Sequence, residues 1–179
     1  DDQISRNASG ADLLIATQKL TLCESIMDIF EKGIEVYRAR LKKNVEKDAT
    51  EIFVHLSSDK DYIGLQISDG YGLSIIHKDG MLVPGRSSGF EHIVALSLIG
   101  ALHHNAPLQG PIVMDSPFGR LDPTHKKNIV QALPRMAEQA MLLIYTGEID
   151  SQVARTSLCG SLIREYRLTK VSSMHTRIE

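Results

Sequence analysis

PGRSSGFEHIVALSLIGALHHNAP (residues 84–107) and PIVMDSPFGRLD (residues 111–122) are the two segments that decide the fold of this 179-residue chain. A Ser-Ser-Gly turn precedes a long apolar helix, and a short apolar strand follows that ends in Asp115. The loop Gly119–Asp122 closes the series. Because burying a charge is costly, a carboxylate directly after four apolar strand residues indicates a functional position at the edge of a sheet.

The turn Ser87-Ser88-Gly89 precedes a helix that we predict from Ser88 to His104, with Ser88 and Glu91 forming an S-x-x-E capping box. A helix N-terminus presents backbone N–H groups without intrahelical partners and the positive end of the helix dipole. Gly89 lets the backbone approach an anion closely, and a serine hydroxyl adds a donor. The turn therefore fits a phosphate group, with plain helix capping as the alternative.

Two aspartates follow the helix. Asp115 ends the predicted strand Ile112–Asp115, whose apolar residues suit the middle of a sheet. A carboxylate at the carboxyl edge of a parallel sheet commonly holds the hydration shell of Mg²⁺ beside phosphates. The alternative is an exposed strand-end Asp that caps the next loop. Asp122, which precedes Pro123, is predicted to be the N-cap of a helix that extends to about residue 133.

Residues 11–56 carry a heptad pattern that predicts one long helix. Its two rows are Leu13, Leu20, Met27, Ile34 and Leu41, and, three positions later, Ala16, Cys23, Phe30, Tyr37 and Asn44; both are apolar except for Asn44 at the end. This is the a/d pattern of a coiled coil, although a long core helix is the alternative. We therefore divide the chain into a polar leader (1–10), a helix that is the root of a coiled coil (11–56) and a globular lobe (57–179).

After residue 57 the apolar period changes to two. We predict strands at 62–67, 73–76 and 81–83, with tight turns at Asp69-Gly70 and Asp79-Gly80. A strand at 141–145, a helix at 151–158 and a last strand at 163–171 complete the lobe. Because strand, helix and strand alternate between residues 111 and 145, we predict an α/β fold with a mostly parallel sheet.

Composition excludes several classes of protein. Twenty basic and 22 acidic residues give a net charge of -2, which indicates neither a strongly basic nucleic-acid surface nor an acidic tail. Cys23 and Cys159 lie far apart and suit a reducing cytosol better than a disulfide framework. No apolar run reaches the roughly 18–20 residues of a membrane span, and no signal peptide is visible. We therefore expect a cytoplasmic segment, without membrane contact, of a larger polypeptide.

Together these motifs resemble the C-terminal half of an SMC-like, ABC-type ATPase head, within the P-loop NTPases. They are most similar to the DndD-like ATPases of DNA phosphorothioation and to related coiled-coil ATPases of DNA repair and phage defence. By this resemblance, Ser87-Ser88-Gly89 corresponds to the signature motif, Ile112–Asp115 to Walker B and Gly119–Asp122 to the D-loop. The chain contains no G-x-x-x-x-G-K-[ST] loop, so it corresponds to the lobe without Walker A.

The resemblance implies ATP and Mg²⁺ as cofactors. It assigns Asp115 and Ser116 to catalysis, with Asp115 also holding the metal through water, and it assigns Ser87, Ser88, Gly89 and Asp122 to nucleotide binding. The implied partners are the N-terminal Walker A lobe of the same protein, a second head in a homodimer, and DNA. In such a dimer the signature serine of one head contacts the γ-phosphate of ATP bound to the other.

Two departures from the family pattern leave the activity open. Ser116 stands where most such heads carry a glutamate base; a hydroxyl is a poor base, although it can orient water. Thr146 stands near the place of the switch histidine, with Glu148 and Asp150 as further candidate carboxylates. Three hypotheses remain: part of an ATPase that is incomplete alone, a non-hydrolysing ATP-dependent clamp, or a coiled-coil interaction module whose serines are only structural.

Overall fold

The structure is a computed structural model that describes residues 2–83, 87–119 and 121–179; for residues 2–9 and 11 it describes only the backbone. Residues 84–86, which begin the first motif, and Arg120, within the predicted D-loop, lie outside the described residues. The chain divides into two units, Asp1–Lys43 and Asn44–Glu179. None of the described helices is both long and apolar enough to cross a membrane.

Helix α1 comprises Asp2–Leu56 and contributes to both units. It therefore includes residues 2–10, which the sequence analysis assigned to a polar leader; polarity alone does not prevent helix formation. In the first unit the apolar residues of the two heptad rows are exposed as far as Tyr37, whereas Leu41 is half-buried. The exposed fraction is between 48% and 69% for Leu13, Leu20, Met27, Phe30, Ile34 and Tyr37. A row of this kind is typical of a coiled-coil seam.

The last part of α1 belongs to the second unit and contributes to its core. Val45, Ala49, Phe53 and Leu56 are buried at spacings of four, four and three residues, as one face of a helix requires. The heptad positions of the first unit continue here as polar residues, among them Asp48. The face that enters this core is therefore different from the heptad face.

Three strands follow α1 and form an antiparallel sheet: β1 (Tyr62–Ile67), β2 (Leu73–His77) and β3 (Leu82–Val83). Side chains of α1 satisfy the backbone of β1. The Thr50 hydroxyl accepts from Leu65 N at 3.0 Å and donates to Leu65 O at 3.1 Å. Glu46 Oε2 accepts from Ile67 N at 2.7 Å. This close approach of helix and strand requires Gly64, where a Cβ would lie 2.8 Å from the Thr50 methyl group.

The next elements are α2 (Ser88–His104), β4 (Ile112–Asp115), α3 (Pro123–Met136) and β5 (Ala140–Leu143). β4 and β5 pair in parallel, with Asp115 opposite Leu143. α1, α2 and α3 meet at Gly100, where a Cβ would lie 2.8 Å from Ile52 and 3.2 Å from Met136. The strand–helix–strand order predicted for this region is therefore present.

The chain ends with α4 (Ser151–Leu158), β6 (Leu168–Ser172) and β7 (His175–Ile178). β6 and β7 form an antiparallel hairpin, whereas the sequence analysis predicted one strand at 163–171. The prediction of a mostly parallel sheet also needs correction for the described strands. Only β4 and β5 are parallel among them, because tight turns connect β1, β2 and β3 and the two terminal strands.

Candidate functional site

The Ser-Ser-Gly turn lies at the N-terminus of α2, as predicted, but with a different cap. Ser87 is the N-cap, and its hydroxyl accepts from Phe90 N at 3.4 Å. Ser88 is the first residue inside the helix, so the predicted capping box of Ser88 and Glu91 is wrong. Gly89 follows in the same first turn, where helical N–H groups lack intrahelical acceptors. All three residues therefore line one helix N-terminus.

Asp115 and Ser116 form what we call the β4 edge. The Asp115 side chain is exposed and makes no hydrogen bond or ion pair with any described residue. Ser116 has a left-handed backbone (φ 48°), and its N–H donates to Leu143 O of β5 at 2.8 Å. Its hydroxyl is buried without a hydrogen-bond partner among the described residues. Such strain and unsatisfied polar groups concentrate at functional sites.

Glu148 joins the loop after β4 to the loop after β5. The residue is 9% exposed; Oε1 of its carboxylate accepts from Phe118 N at 2.7 Å and Oε2 accepts from Tyr145 N at 3.1 Å. Asp150, the other candidate carboxylate, is the N-cap of α4 and accepts from Gln152 N at 2.7 Å. Both carboxylates therefore have structural partners. No local sequence pattern indicated the role of Glu148, because its partners are backbone groups.

Asp122 and His125 form a second polar cluster, which we call the α3 cap. Asp122 is the N-cap of α3, as predicted: Oδ1 accepts from Thr124 N at 2.9 Å and from His125 N at 3.1 Å. Oδ2 is bonded to His125 Nδ1. The Asp122 side chain is about half exposed, and its partial desolvation raises the pKa. The hydrogen bonds from His125 and Thr124 outweigh this effect, so that the pKa of Asp122 lies below the ordinary value.

His125, which no sequence motif predicted, is buried, and both of its ring nitrogens have partners. Ser58 N lies 3.2 Å from Nε2, and the Ser58 hydroxyl lies 3.0 Å from the same atom. A backbone N–H can only donate, so Nε2 is the acceptor and Nδ1 carries the proton that bonds Asp122. The His125 ring thus binds the Asp122 oxygen that the helix backbone does not bind, and so helps to fix the orientation of this carboxylate.

An aromatic contact connects the α3 cap with the start of α2. The Phe90 ring packs edge-on against the His125 imidazole, with centroids 5.8 Å apart, and against the Tyr62 ring at 5.0 Å. Phe90 is also the residue whose N–H the Ser87 hydroxyl accepts. The structure therefore brings the predicted residues Ser87 and Asp122 into one connected cluster.

Solved structures similar to this chain are SMC head domains. A Pyrococcus yayanosii SMC head with a coiled coil and joint has a TM-score of 0.63 and 17% identity, over 91% of this chain and 31% of that one. The Thermotoga maritima SMC head has a TM-score of 0.54 and 16% identity, over 76% of this chain and 47% of that one. The chain thus spans less than half of either. It has the fold of part of an SMC head.

A third SMC ATPase structure, from work on ATP-driven dimerization and DNA-stimulated activation, has a TM-score of 0.56 and 15% identity, over 81% of this chain and 87% of that one. No protein-family model and no curated protein sequence matches the chain. At these identities the likeness concerns the fold.

The β4 edge of this SMC-like lobe is compatible with Mg²⁺ bound mainly by other ligands. Among the described residues, no group of three or more His, Cys, Asp or Glu side chains could hold a metal ion. Mg²⁺ typically keeps several waters and takes only one or two carboxylates plus phosphate oxygens. A single exposed carboxylate at Asp115 fits that mode and would supply one ligand or a contact through water.

Proposed function

We propose that this chain is the C-terminal lobe of an SMC-like, DNA-associated ATPase of the DndD-like type. The β4 edge carries the proposal: an exposed carboxylate at Asp115 precedes a strained residue, Ser116, whose buried hydroxyl has no partner among the described residues. Since an unsatisfied buried hydroxyl costs about 1–3 kcal/mol, a partner supplied by the assembled site would recover that cost.

A Walker A lobe of the same protein would complete the sheet. Parallel strands are normally covered on both faces and belong to larger sheets, whereas β4 and β5 form a two-stranded parallel pair. Apolar side chains on this pair are exposed, among them Val113 at 59% and Met141 at 54%. Further strands and helices packed against them would bury this surface. The exposed heptad row of α1 would likewise pack against a coiled-coil helix from the same polypeptide.

In the proposed ATP sandwich, each predicted residue has one task. Mg²⁺, when bound, neutralises charge on the phosphates. Asp115 would help to hold this ion, directly or through water, and Ser116 would orient the attacking water with its free hydroxyl. The helix N-terminus at Ser87, Ser88 and Gly89 offers N–H and O–H donors to the γ-phosphate of ATP on a second head. Asp122 ends the D-loop that faces this second head.

The similar structures support a dimer and a role with DNA. One of them comes from work on ATP-driven dimerization and DNA-stimulated activation of SMC ATPases, and another is an SMC head bound to the C-terminal winged-helix domain of ScpA. We infer from the first that two copies of this head associate when ATP is bound and that the assembly acts on DNA. We propose the cytoplasm as its compartment. DNA repair, DNA modification and phage defence are the settings that the resemblance to DndD-like proteins suggests.

A non-hydrolysing clamp is a second candidate, which one observation favours. Ser116 replaces the usual glutamate base, and the buried carboxylate of Glu148 already accepts two backbone N–H groups. A carboxylate held in this way is poorly available as a general base. The clamp hypothesis therefore predicts ATP-dependent dimerization with no phosphate release above background.

The test uses the complete head, in which this lobe is joined to its Walker A lobe. Phosphate release and ATP-dependent dimerization are measured for the wild type, Asp115→Ala and Ser87→Arg. Ser151→Arg is the matched control, because Ser151 is an exposed serine that begins another helix, α4. We expect both site variants to lose turnover, Ser87→Arg to lose dimerization as well, and the control to retain both.

Each remaining hypothesis gives a different result in this experiment. Unchanged turnover in both site variants would contradict the proposed roles of Asp115 and Ser87. Dimerization without turnover in the wild type would favour the clamp. If ATP changes neither the melting temperature nor the mass of the complete head, the interaction-module hypothesis is favoured.

A further inference from the structure

We propose that His125 is a positioning residue that couples the D-loop and the signature motif to the end of α1, so that the nucleotide state of the head reaches the coiled coil. This inference rests on the proposed function. It concerns a residue that belongs to none of the predicted motifs. Its basis is that three segments of the second unit meet at one buried imidazole.

Each side of the imidazole contacts a different segment. Nδ1 bonds Asp122 at the end of the D-loop, Nε2 accepts from Ser58 in the turn between α1 and β1, and the ring packs against Phe90. The N–H of Phe90 is in turn bonded to the Ser87 hydroxyl. Because an imidazole is rigid, displacement of Asp122 on one side must move the ring or break a bond on the other.

α3 holds the end of α1 at a second point. Asn128, one turn after His125, donates from Nδ2 to Leu56 O at 3.1 Å, and Leu56 is the last residue of α1. Ser57 N also donates to Phe53 O at 2.8 Å, which continues the hydrogen bonding of α1 into the turn. His125 and Asn128 therefore attach the N-terminal turns of α3 to the final turn of α1 and the residues after it.

The opposite end of the loop is fixed separately. The Phe118 N–H is bonded to buried Glu148, which also binds Tyr145 N. A change in the loop is therefore resisted at residue 118 and transmitted at residue 122, through Asp122 and His125. This arrangement gives the loop one anchored end and one end connected to α1.

The order Asp122, His125, Ser58 resembles a hydrolytic triad, but the geometry favours a mechanical connection. The Ser58 N–H donates to the same Nε2 atom that the Ser58 hydroxyl approaches, so both groups share one lone pair. The imidazole is thus engaged by the backbone of the turn, as a structural link requires, rather than being available to remove a proton from the hydroxyl.

The test uses the complete head with its Walker A lobe and a spin label on Cys23, which is exposed on α1; Cys159→Ser and replacement of other reactive cysteines keep the label specific. The distance between the two Cys23 labels of a dimer is measured with and without ATP. His125→Asn places an amide where Nδ1 lies and keeps the bond to Asp122, but it is too short to reach Ser58. His125→Gln reaches toward Ser58. His104→Asn, at an exposed histidine, is the control.

We expect His125→Asn to dimerise with ATP as the wild type does but to lose the ATP-induced change in the Cys23 distance. His125→Gln should restore part of that change, and His104→Asn should leave it intact. Hydrogen exchange at the Ser58 amide should accelerate about two- to tenfold in His125→Asn, as expected for loss of one hydrogen bond.

The outcomes separate this inference from the proposed function. An unchanged Cys23 response in His125→Asn overturns the inference, and so does loss of dimerization together with the response, which would mean a merely structural role. A wild type that dimerises with ATP without any change in the Cys23 distance overturns the inference alone. A wild type that does not respond to ATP overturns both.

Discussion

The β4 edge and the α3 cap lie at the two ends of one short segment, residues 115–125. They differ in whether their polar groups have hydrogen-bond partners. At the α3 cap, both oxygens of Asp122 and both ring nitrogens of His125 have partners within the lobe. At the β4 edge, the Asp115 carboxylate and the Ser116 hydroxyl have none among the described residues. The first cluster is complete in this lobe, and the second is not.

This difference separates structural from reactive groups without reference to a motif. A satisfied buried polar group stabilises the fold, and its removal leaves its partners unpaired. An unsatisfied one costs free energy in the isolated lobe and recovers it only when a ligand or another lobe arrives. Variants at the satisfied groups should therefore change the free energy of unfolding, whereas variants at the β4 edge should change activity.

The largest loss of stability is expected for Glu148→Ala. Like Asp122 and His125, Glu148 has hydrogen-bond partners within the lobe, and it lies at the other end of the loop. The substitution leaves Phe118 N and Tyr145 N without their acceptor, at about 1–3 kcal/mol each. We expect the free energy of unfolding, measured in urea, to fall by about 2–4 kcal/mol. Glu148→Gln keeps one acceptor oxygen and should lose about half as much.

Glu138→Ala is the control for this prediction, because Glu138 is an exposed acidic residue in the same region. It should stay within about 0.5 kcal/mol of the wild type. If Glu148→Ala unfolds at the same urea concentration as this control, the two loops are not held together by the carboxylate, and the contrast between the two ends of the segment weakens.

The next effect is expected at Asp122, where loss of the N-cap should cost about 0.5–2 kcal/mol in Asp122→Ala and less in Asp122→Asn. The pKa of Asp122 is lowered below 3.8 in the folded state. Its charge therefore stabilises the fold above the unfolded-state pKa, and this contribution is lost as the pH falls through the lower, folded-state value.

The measurement is the unfolding free energy of the wild type and Asp122→Asn at a series of pH values. The two curves should begin to converge below about pH 5 and meet as the pH falls through the folded-state pKa, where the wild-type carboxylate is protonated. A difference that stays constant down to acidic pH would show that the charge of Asp122 contributes nothing to the α3 cap.

Local sequence signals predicted much of this fold but few of the hydrogen bonds that Asp122, His125 and Glu148 make within the lobe. Strands β1 and β4 and helices α2 and α4 have the predicted bounds, because periodicity and cap residues are local. Asp122 was predicted as a cap for the same reason. The roles of Glu148 and His125 could not be found in this way, since each depends on a distant partner as well as a near one: Phe118 lies 30 positions from Glu148, and Ser58 lies 67 positions from His125.

The β6–β7 hairpin was missed for a related reason. Its connection contains no Asn-Gly or Asp-Gly pair, the strongest short-range hairpin signal, and it includes Met174 instead. The Ser172 hydroxyl accepts from Met174 N at 3.3 Å and stabilises the turn. A serine side chain can form such a turn, but serine is too common for its presence to predict one.

A smaller effect of opposite sign is expected for Ser116→Gly. Glycine adopts a positive φ without steric cost, and the substitution removes the unpaired hydroxyl. We expect a gain in unfolding free energy of about 0.5–1 kcal/mol, together with loss of turnover in the complete head. Cys159→Gly is the matched control, because Cys159 has a φ of 39° at the end of α4. It should gain stability without losing turnover; a loss of stability in Ser116→Gly would show that the hydroxyl is satisfied.

The smallest effect on stability is expected for Asp115→Asn. The side chain is exposed and has no partner among the described residues, so the free energy of unfolding should change by less than about 0.5 kcal/mol. In the complete head, by contrast, loss of the charge beside the phosphates should lower turnover roughly 100- to 1000-fold, as removal of an electrostatic contact to a transition state does. A variant that unfolds more easily and retains turnover would reverse the assignment. Asp115 would then be a structural cap of its loop, like Asp122, and the β4 edge would no longer be the end of the segment whose polar groups lack partners.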